Sequence, residues 1–404
     1  MSIAPVESPA RESSAATADR HHRVRLESIA IQDFRNLERV NLSFPAEGVA
    51  LIGDNGHGKT NLLEAIYYLQ ILRSIRDARD QDLTRFDANG FHVAAKVYSP
   101  AAHEIGVGFE RASKRKKLTL DGLVPRRLTD ALGRLPSVMF SPRDLELVSG
   151  APSERRRYLD LLLALTDRKY LNALQHYRAN LARRNAALRI ATKRGANDSE
   201  VSVWEPALAE HGSVLIESRA KWVSDSASEY ARVSEEIGEK GRAQIRYLCA
   251  FADSEARHDV LLAALEEKRP LDMRRGITSV GPHRDDLELT LDGRDLRLFG
   301  SAGQQRTAAI ALRMLEAATL RDHAGAEPLL LLDDPFAELD IRRAARILLM
   351  LEKRGLGQTI LAVPREADIP PGLMRLERLH VRDGTVKVWL PPAIAKIPAH
   401  ALHA

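Results

Sequence analysis

Gly53-Asp54-Asn55-Gly56-His57-Gly58-Lys59-Thr60 follows the short apolar run Val49-Ala50-Leu51-Ile52 and precedes Leu62, Leu63, Ile66 and Leu69 at helical spacing. Strand, glycine-rich loop and helix in that order are the context of a phosphate loop. Glycines at 53, 56 and 58 let the backbone curl so that its N–H groups face phosphate oxygens. The helix that follows adds its positive N-terminal end. In such a loop Lys59 reaches the β- and γ-phosphates, and the Thr60 hydroxyl holds Mg²⁺. All eight residues are therefore candidate contacts for ATP with its magnesium ion.

Some 270 residues downstream, Leu329–Leu332 is the continuous apolar run of a parallel strand buried on both faces, and it ends in Asp333-Asp334. Doubly wound sheets bind ligands at that end of their strands. Asp333 is the candidate partner of Thr60 for Mg²⁺, and Asp334 the candidate that orients or deprotonates an attacking water. Aspartate is one methylene shorter than glutamate, so slow turnover is expected. Taken alone, a strand-end acid equally suits an ordinary ion pair. Between the two motifs, Ser301-Ala302-Gly303-Gln304 opens a helix expected over Gln305–Leu320. Ser301 can cap that helix or donate to a γ-phosphate, and the two roles are compatible. Lys59, Ser301, Asp333 and Asp334 form the candidate catalytic set.

Composition bounds the rest. An apolar fraction of 44% beside a charged fraction of 28% describes a soluble globular chain. No run reaches the ~18 apolar residues of a membrane helix, which argues against a membrane partner. The N-terminus lacks the apolar core of a secretory signal. The lone cysteine, Cys249, excludes an internal disulfide framework and suits a reducing cytoplasm. A net charge of +5 points modestly toward a polyanion.

The pattern along the chain predicts an α/β fold. Strands are expected between residues 24 and 52, over His92–Tyr98, Glu104–Phe109 and Lys117–Leu120, and again at Leu287–Leu291. Helices are expected from Ser153, over Lys169–Ala191, Trp204–Ile237 and His258–Glu267, with a loop at 192–202. The resulting organisation is a tail over 1–23, half of an ATPase head over 24–150, a helical arm over 151–275, the other half-head over 276–391, and a tail over 392–404. No sustained heptads mark the arm as a long coiled coil.

Three motifs in this order resemble ATPase heads of the ABC type, in which the signature of one subunit closes over nucleotide held by another. A narrower resemblance rests on further runs. These are Phe34-Arg35-Asn36, Gly56 through Ile66, Phe140-Ser141-Pro142-Arg143-Asp144-Leu145 with Ser153-Glu154-Arg155-Arg156-Arg157, Gly281-Pro282-His283-Arg284-Asp285-Asp286, Gly303-Gln304-Gln305-Arg306-Thr307 and Leu332 through Asp340. Together, over about residues 25–390, they resemble the RecF family of bacterial recombination mediators. That resemblance implies a P-loop ABC-type ATPase head, with a mixed sheet flanked by helices plus an antiparallel β subdomain, interrupted by an all-helical arm. It implies an ATP-dependent homodimer that binds DNA at gaps or junctions, helps load the recombinase with other recombination mediator proteins, and supports the SOS response. A weak, DNA-stimulated ATPase would then release the DNA. Asp340 resembles a residue of the loop that crosses the dimer interface.

Three features depart from the family pattern or carry no motif. His57 replaces an expected small or polar residue and is expected to face outward. Ala362-Val363-Pro364 stands where hydroxyl side chains that sense the γ-phosphate are expected, so hydrolysis is expected to be altered while ATP binding survives. The basic runs Lys114–Lys117, Arg126-Arg127, Arg155–Arg157, Arg183-Arg184 and Lys193-Arg194 are candidate contacts to duplex phosphates. His283 with its acidic neighbours matches no metal-ligand spacing and reads as an ion-paired turn. A transporter engine would place loop and signature closer together, and a nuclease needs more chain than follows Asp340. A scaffold that binds ATP only to dimerise remains an alternative.

Overall fold

Val49 to Ile52 lies in a strand buried along its whole length, β3 (Gly48–Ile52), as an apolar run with water on neither side should be. The computed structural model describes residues 23–194, 198–251, 256–335, 341–353 and 357–388. The expected tails, apart from Arg23, and the Glu338-Leu339-Asp340 segment lie outside them. The described chain forms two compact units. One comprises residues up to Met139, Pro328–Asp334 and those from 357 onward. The other comprises Phe140–Glu327 with Pro335 and 341–353.

In the first unit, β1 (Arg25–Phe34) and β2 (Leu37–Ser43) form a hairpin. They join β4 (Gly90–Tyr98), β5 (Ala102–Glu110) and β6 (Arg115–Leu120) in an antiparallel sheet ordered β2-β1-β4-β5-β6. Pairs such as Ile31 opposite Val93 and Val93 opposite Val107 line one face. That face is buried while alternate residues reach water. Helix α1 (Lys59–Ile71) buries nearly every residue. Its Tyr68 meets Phe34 and Phe91 edge-on, with ring centroids 5.9 and 5.5 Å away.

The second sheet of this unit contains β7 (Ser137–Phe140), β11 (Leu329–Asp333), β12 (Thr359–Val363), β13 (Glu377–Arg382) and β14 (Thr385–Val388), ordered β14-β13-β3-β12-β11-β7. The four strands β13, β3, β12 and β11 run parallel. Register brings Ile52 opposite Val363, and Asp333 opposite Ala362, so the carboxyl ends of β3, β12 and β11 stand side by side.

The second unit is built from helices α2 (Pro152–Thr166), α3 (Arg168–Arg194), α4 (Glu205–Ile237), α5 (Arg257–Arg275), α6 (Ala302–Ala324) and α7 (Ile341–Lys353). They accompany a sheet of β8 (Ala243–Leu248), β9 (Asp286–Leu291) and β10 (Arg294–Asp295) in the order β10-β9-β8. Its interior is tied by charge. Arg184, with no exposed surface, donates to Asp272 and Glu205 at 2.8 and 2.9 Å and to the Thr278 hydroxyl. Arg219 donates to Asp160 at 2.7 Å and to the Pro282 carbonyl. Against the effect of burial, Arg219 and Tyr170 hold the Asp160 carboxyl below its usual range.

The structure differs from the sequence expectation in several places. The 192–202 loop is shorter, since α3 continues to Arg194 and Asp198–Ser202 is helical. Helix α5 runs eight residues past Glu267, through Pro270. Ion pairs in its last turns, Arg269 with Glu205 and Asp272 with Arg184, hold that extension against the missing proline N–H. Strand β8 was not expected, because its pairing partner β9 lies 40 residues on. The signature helix groups with the helical elements.

His283 accounts for part of how this unit should respond to acid. Its Nδ1 accepts from the Tyr177 hydroxyl at 2.7 Å, and its Nε2 donates to the Thr278 carbonyl at 3.1 Å. Burial lowers its pKa from 6.5 to about 4. The unfolded chain therefore binds a proton that the folded one refuses, and stability falls as pH drops from 6.5 toward 4. By linkage this site contributes about 3 kcal/mol to that loss. Denaturant titrations followed by tryptophan fluorescence should show a pH slope in the native protein that is flattened in His283→Gln. Parallel slopes would rule out this assignment.

Candidate nucleotide-binding site

The loop after β3 takes its shape from three glycines with different duties. A Cβ at Gly53 would lie 2.2 Å from the Val381 carbonyl, so only glycine fits between β3 and β13. Gly56 (φ +86) and Gly58 (φ +112) occupy backbone conformations that side chains disfavour. Gly56 borders open space, whereas a Cβ at Gly58 would meet Asn36 at 2.8 Å. Gly58 caps α1 without any side-chain cap, so the first N–H groups of the helix point into the cradle with its positive end.

Lys59 curls over this cradle, with Nζ donating to the Gly53 and Asp54 carbonyls at 2.5 and 2.9 Å. Burial lowers its pKa against the attraction of Asp333, Asp334 and Asp54. The Thr60 hydroxyl donates to Asp333 at 2.9 Å, which joins the loop to the end of β11. Burial pushes the Asp333 carboxyl above its ordinary range, against the Thr60 hydrogen bond and the Lys59 charge. Asp334 turns off the strand in the left-handed region (φ 47) while its N–H bonds the Ala362 carbonyl at 3.0 Å. These groups border a polar cavity of about 330 Å³, to which Arg76 and Pro364 also contribute. Thr60 and Asp333 offer two adjacent oxygen donors, a fit for Mg²⁺ that takes its other ligands from phosphate and water.

A second layer braces the loop. Glu64, one turn along α1 and with no exposed surface, receives Arg35 through two hydrogen bonds of 3.0 and 3.1 Å. The same carboxylate accepts from Ser74 at 2.5 Å, and the Ser74 hydroxyl holds the Arg76 N–H at 3.0 Å. Arg76 thereby becomes a cation at the cavity rim. No motif contained it, and its position is set by the buried glutamate rather than by local sequence. Asn36 accepts from Asn61 at 2.8 Å, which explains the Phe34-Arg35-Asn36 run as a buttress.

His57 corrects an expectation. Instead of facing outward, its side chain is 25% exposed, and Nδ1 accepts from the Asp383 N–H at 3.0 Å. The Gly384 N–H returns a bond of 2.9 Å to the His57 carbonyl. The imidazole thus pins the loop to the β13–β14 turn, where β13's register beside β3 delivers it.

In the second unit, Ser301 caps α6. Its hydroxyl accepts from the Gln304 N–H at 3.3 Å, and the Gln304 side chain accepts from the Ser301 N–H at 2.8 Å. Arg343 donates to the Gly303 carbonyl at 2.7 Å, to Thr307 at 3.0 Å and to Glu239 at 2.7 Å, fixing this first turn. Arg306 donates to the Pro142 and Pro335 carbonyls at 3.2 and 3.4 Å, so the signature helix holds the residue after Asp334. Ser301 and the phosphate loop belong to different units.

Two of the basic candidates for DNA contact are corrected. Arg184 is sealed in its carboxylate pocket, and Arg155 is buried against Asp286 at 2.7 Å. Helical periodicity decides this, since every fourth residue of a basic run on a core helix turns inward. Lys116 is half-buried over the Tyr68 ring and paired with Asp80 at 3.0 Å. Lys114, Arg115, Lys117, Arg126, Arg127 and Arg183 remain exposed. The Lys193 and Arg194 side chains lie outside the described ones. The Gly281–Asp286 run is an ion-paired turn, with Asp286 on Arg155 and Asp285 on Tyr247. Among the described residues no group of three or more His, Cys, Asp or Glu is gathered for a metal.

A glycine cradle between β3 and α1, with an acid-ended parallel strand one place removed in the sheet, defines a P-loop nucleotide-binding head. The chain belongs to the RecF family, within the group described as the RecF/RecN/SMC N terminal domain, whose family model matches residues 25–368. It is 35% identical over 382 residues to the DNA replication and repair protein RecF of Herpetosiphon aurantiacus, spanning 89% of this chain and 98% of that one. A solved structure of the recombination mediator protein RecF with ATP, in the RecFOR pathway, superposes with a TM-score of 0.84 at 29% identity over 91% of this chain and 98% of that one. The Smc head domain of Pyrococcus furiosus shares the fold, with a TM-score of 0.52 at 18% identity over 91% of this chain and 96% of that one.

Calorimetric titration with Mg·ATP should separate the two roles around the loop. Lys59→Ala, which removes a charge-assisted contact, should weaken binding about a hundredfold. His57→Ala, which removes one brace worth ~1 kcal/mol, should weaken it about fivefold. Equal affinity in His57→Ala and the native protein would show that the brace is idle.

Proposed function

We propose that this protein is an ATP-dependent DNA-binding protein of recombinational repair and replication restart. The observation that carries the reading is the 2.9 Å bond from Thr60 to Asp333, which joins phosphate loop and strand-end acid across β12. Gly53 to Thr60 bind the triphosphate, and Lys59 neutralises its β and γ groups. Thr60 and Asp333 hold Mg²⁺, which screens the phosphate charge, and Asp334 positions the attacking water. Ser301 of a second copy completes the site, which makes ATP the bond of a homodimer. The head spans 24–150 and 276–391, with the helical arm over 151–275 between its halves. The dimer works in the cytoplasm on duplex or junction DNA, beside other recombination mediators and in support of the SOS response. Contacts run through exposed bases such as Arg126, Arg127 and Arg183 and fall off with salt. The relatives named for DNA replication and repair support this reading.

A second reading has one observation in its favour. Pro364 borders the cavity where a hydroxyl would sense the γ-phosphate, and proline offers no donor. A scaffold that binds ATP without hydrolysing it would look this way. Phosphate release with and without duplex DNA decides between slow turnover and none, with Asp334→Asn as the inactive control.

Light scattering on size-exclusion peaks tests the dimer. The native chain should shift from monomer to dimer with Mg·ATP. Ser301→Arg should still bind ATP yet stay monomeric. A native chain that binds ATP yet remains monomeric would overturn the composite site.

A further inference from the structure

The signature turn of the second unit is held from behind by a residue that no motif contains. Arg343, in the first turn of α7, sends Nη1 to the Gly303 carbonyl at 2.7 Å and to the Thr307 hydroxyl at 3.0 Å. Thr307 donates to the same carbonyl at 3.0 Å, which closes a small ring of bonds just behind Ser301. Nη2 turns the other way and donates to Glu239 at 2.7 Å. One guanidinium thus joins partners from different elements, as its planar fork allows.

Two observations show how closely the turn is fitted to this guanidinium. Gly303 lies within α6, where glycine is a poor choice for a helix, yet a Cβ there would stand 3.1 Å from Nη1. The missing side chain leaves Arg343 room to reach the carbonyl. Glu239, only 8% exposed, follows Gly238, the residue (φ +122) that ends α4. The Glu239 N–H bonds the Ser234 carbonyl at 3.0 Å, so the carboxylate leaves the helix end in a fixed direction. A carboxylate this buried depends on its cation. The end of the 33-residue helix α4 and the start of the signature helix are therefore fastened to one side chain. A cation beside a helix N-terminus opposes the helix dipole. Glu239 offsets that charge, so Arg343 sets geometry more than potential.

We propose that Arg343 is a positioning residue of the ATP site and that it acts in trans. It holds Ser301 and the leading N–H groups of α6 at the angle at which they meet nucleotide bound to a second copy, and it ties that angle to the end of α4. The inference rests on the composite site proposed above. Removing Arg343 leaves the phosphate loop of its own copy, which lies in the other unit, able to bind ATP. The loss falls on the site of the partner copy.

Mixtures of full-length variants in Mg·ATP test this, read by energy transfer between fluorophores on the two chains' N-termini. Arg343→Ala alone should associate ~100-fold more weakly than the native chain, about tenfold for each of the dimer's two sites. At dilutions where both are monomeric, the two should bind Mg·ATP equally. Lys59→Ala with Ser301→Arg is the reference pair, since mixing them leaves one site intact. Arg343→Ala with Lys59→Ala also leaves one site intact and should associate as the reference pair does. Arg343→Ala with Ser301→Arg leaves none and should not associate. Arg343→Lys keeps a cation for the buried Glu239 and so guards against misfolding. One ammonium cannot serve both partners, and the same pattern is expected of it. Equal association of the two Arg343→Ala mixtures would overturn the proposal. If the reference pair associates and neither Arg343 variant does so with Lys59→Ala, the trans role of Arg343 fails while the composite site stands. If the reference pair itself stays apart, the composite site fails and this inference with it.

Discussion

Three parallel strands that end flush govern everything at the nucleotide site. Strands β3, β12 and β11 are apolar because both faces are covered. Their register sets Ile52, Val363 and Asp333 at nearly one level. A shift of one residue in either pairing would reverse which side chains face α1 and carry Asp333 away from Thr60. The chemistry is thus fixed by hydrogen bonding in the sheet before any catalytic side chain is considered.

On this frame the protein places charges where they are unfavourable. Glu64 is sealed from water, and Asp333 and Lys59 both have pKa values displaced toward neutrality by burial. Glu64 is compensated fully, by Arg35 on one side and Ser74 on the other, and so serves as scaffolding. Asp333 and Lys59 are compensated in part, and both border the cavity. The contrast between a satisfied and an unsatisfied buried charge separates brace from site.

Much of this was legible in the chain. The glycine spacing of 53, 56 and 58 and the run Leu329–Leu332 specify backbone shape and burial directly, so sequence alone located loop and strand. Ser301 was legible as a cap because capping is local. Arg76 and the His57–Asp383 link were not, because each depends on a residue that the fold delivers: Ser74 held by Glu64, and a turn placed by β13. The basic runs misled for a related reason. Arg183 and Arg184 look alike in sequence, but a rotation of 100° along α3 leaves one in water and seals the other beside Asp272.

The sheet order has a consequence for how the chain is made. Both neighbours of β3 in the sheet, β12 and β13, come from beyond residue 357. During synthesis β3 therefore leaves the ribosome with neither edge paired and waits for some 300 more residues. Meanwhile Phe140 to Glu327, nearly the whole second unit, is available to fold from contiguous sequence. The nucleotide head is the last part able to close, and until it does, an apolar strand stands open to wrong partners. A nascent chain cut short anywhere before β12 has a phosphate loop in its sequence and no sheet to hold it.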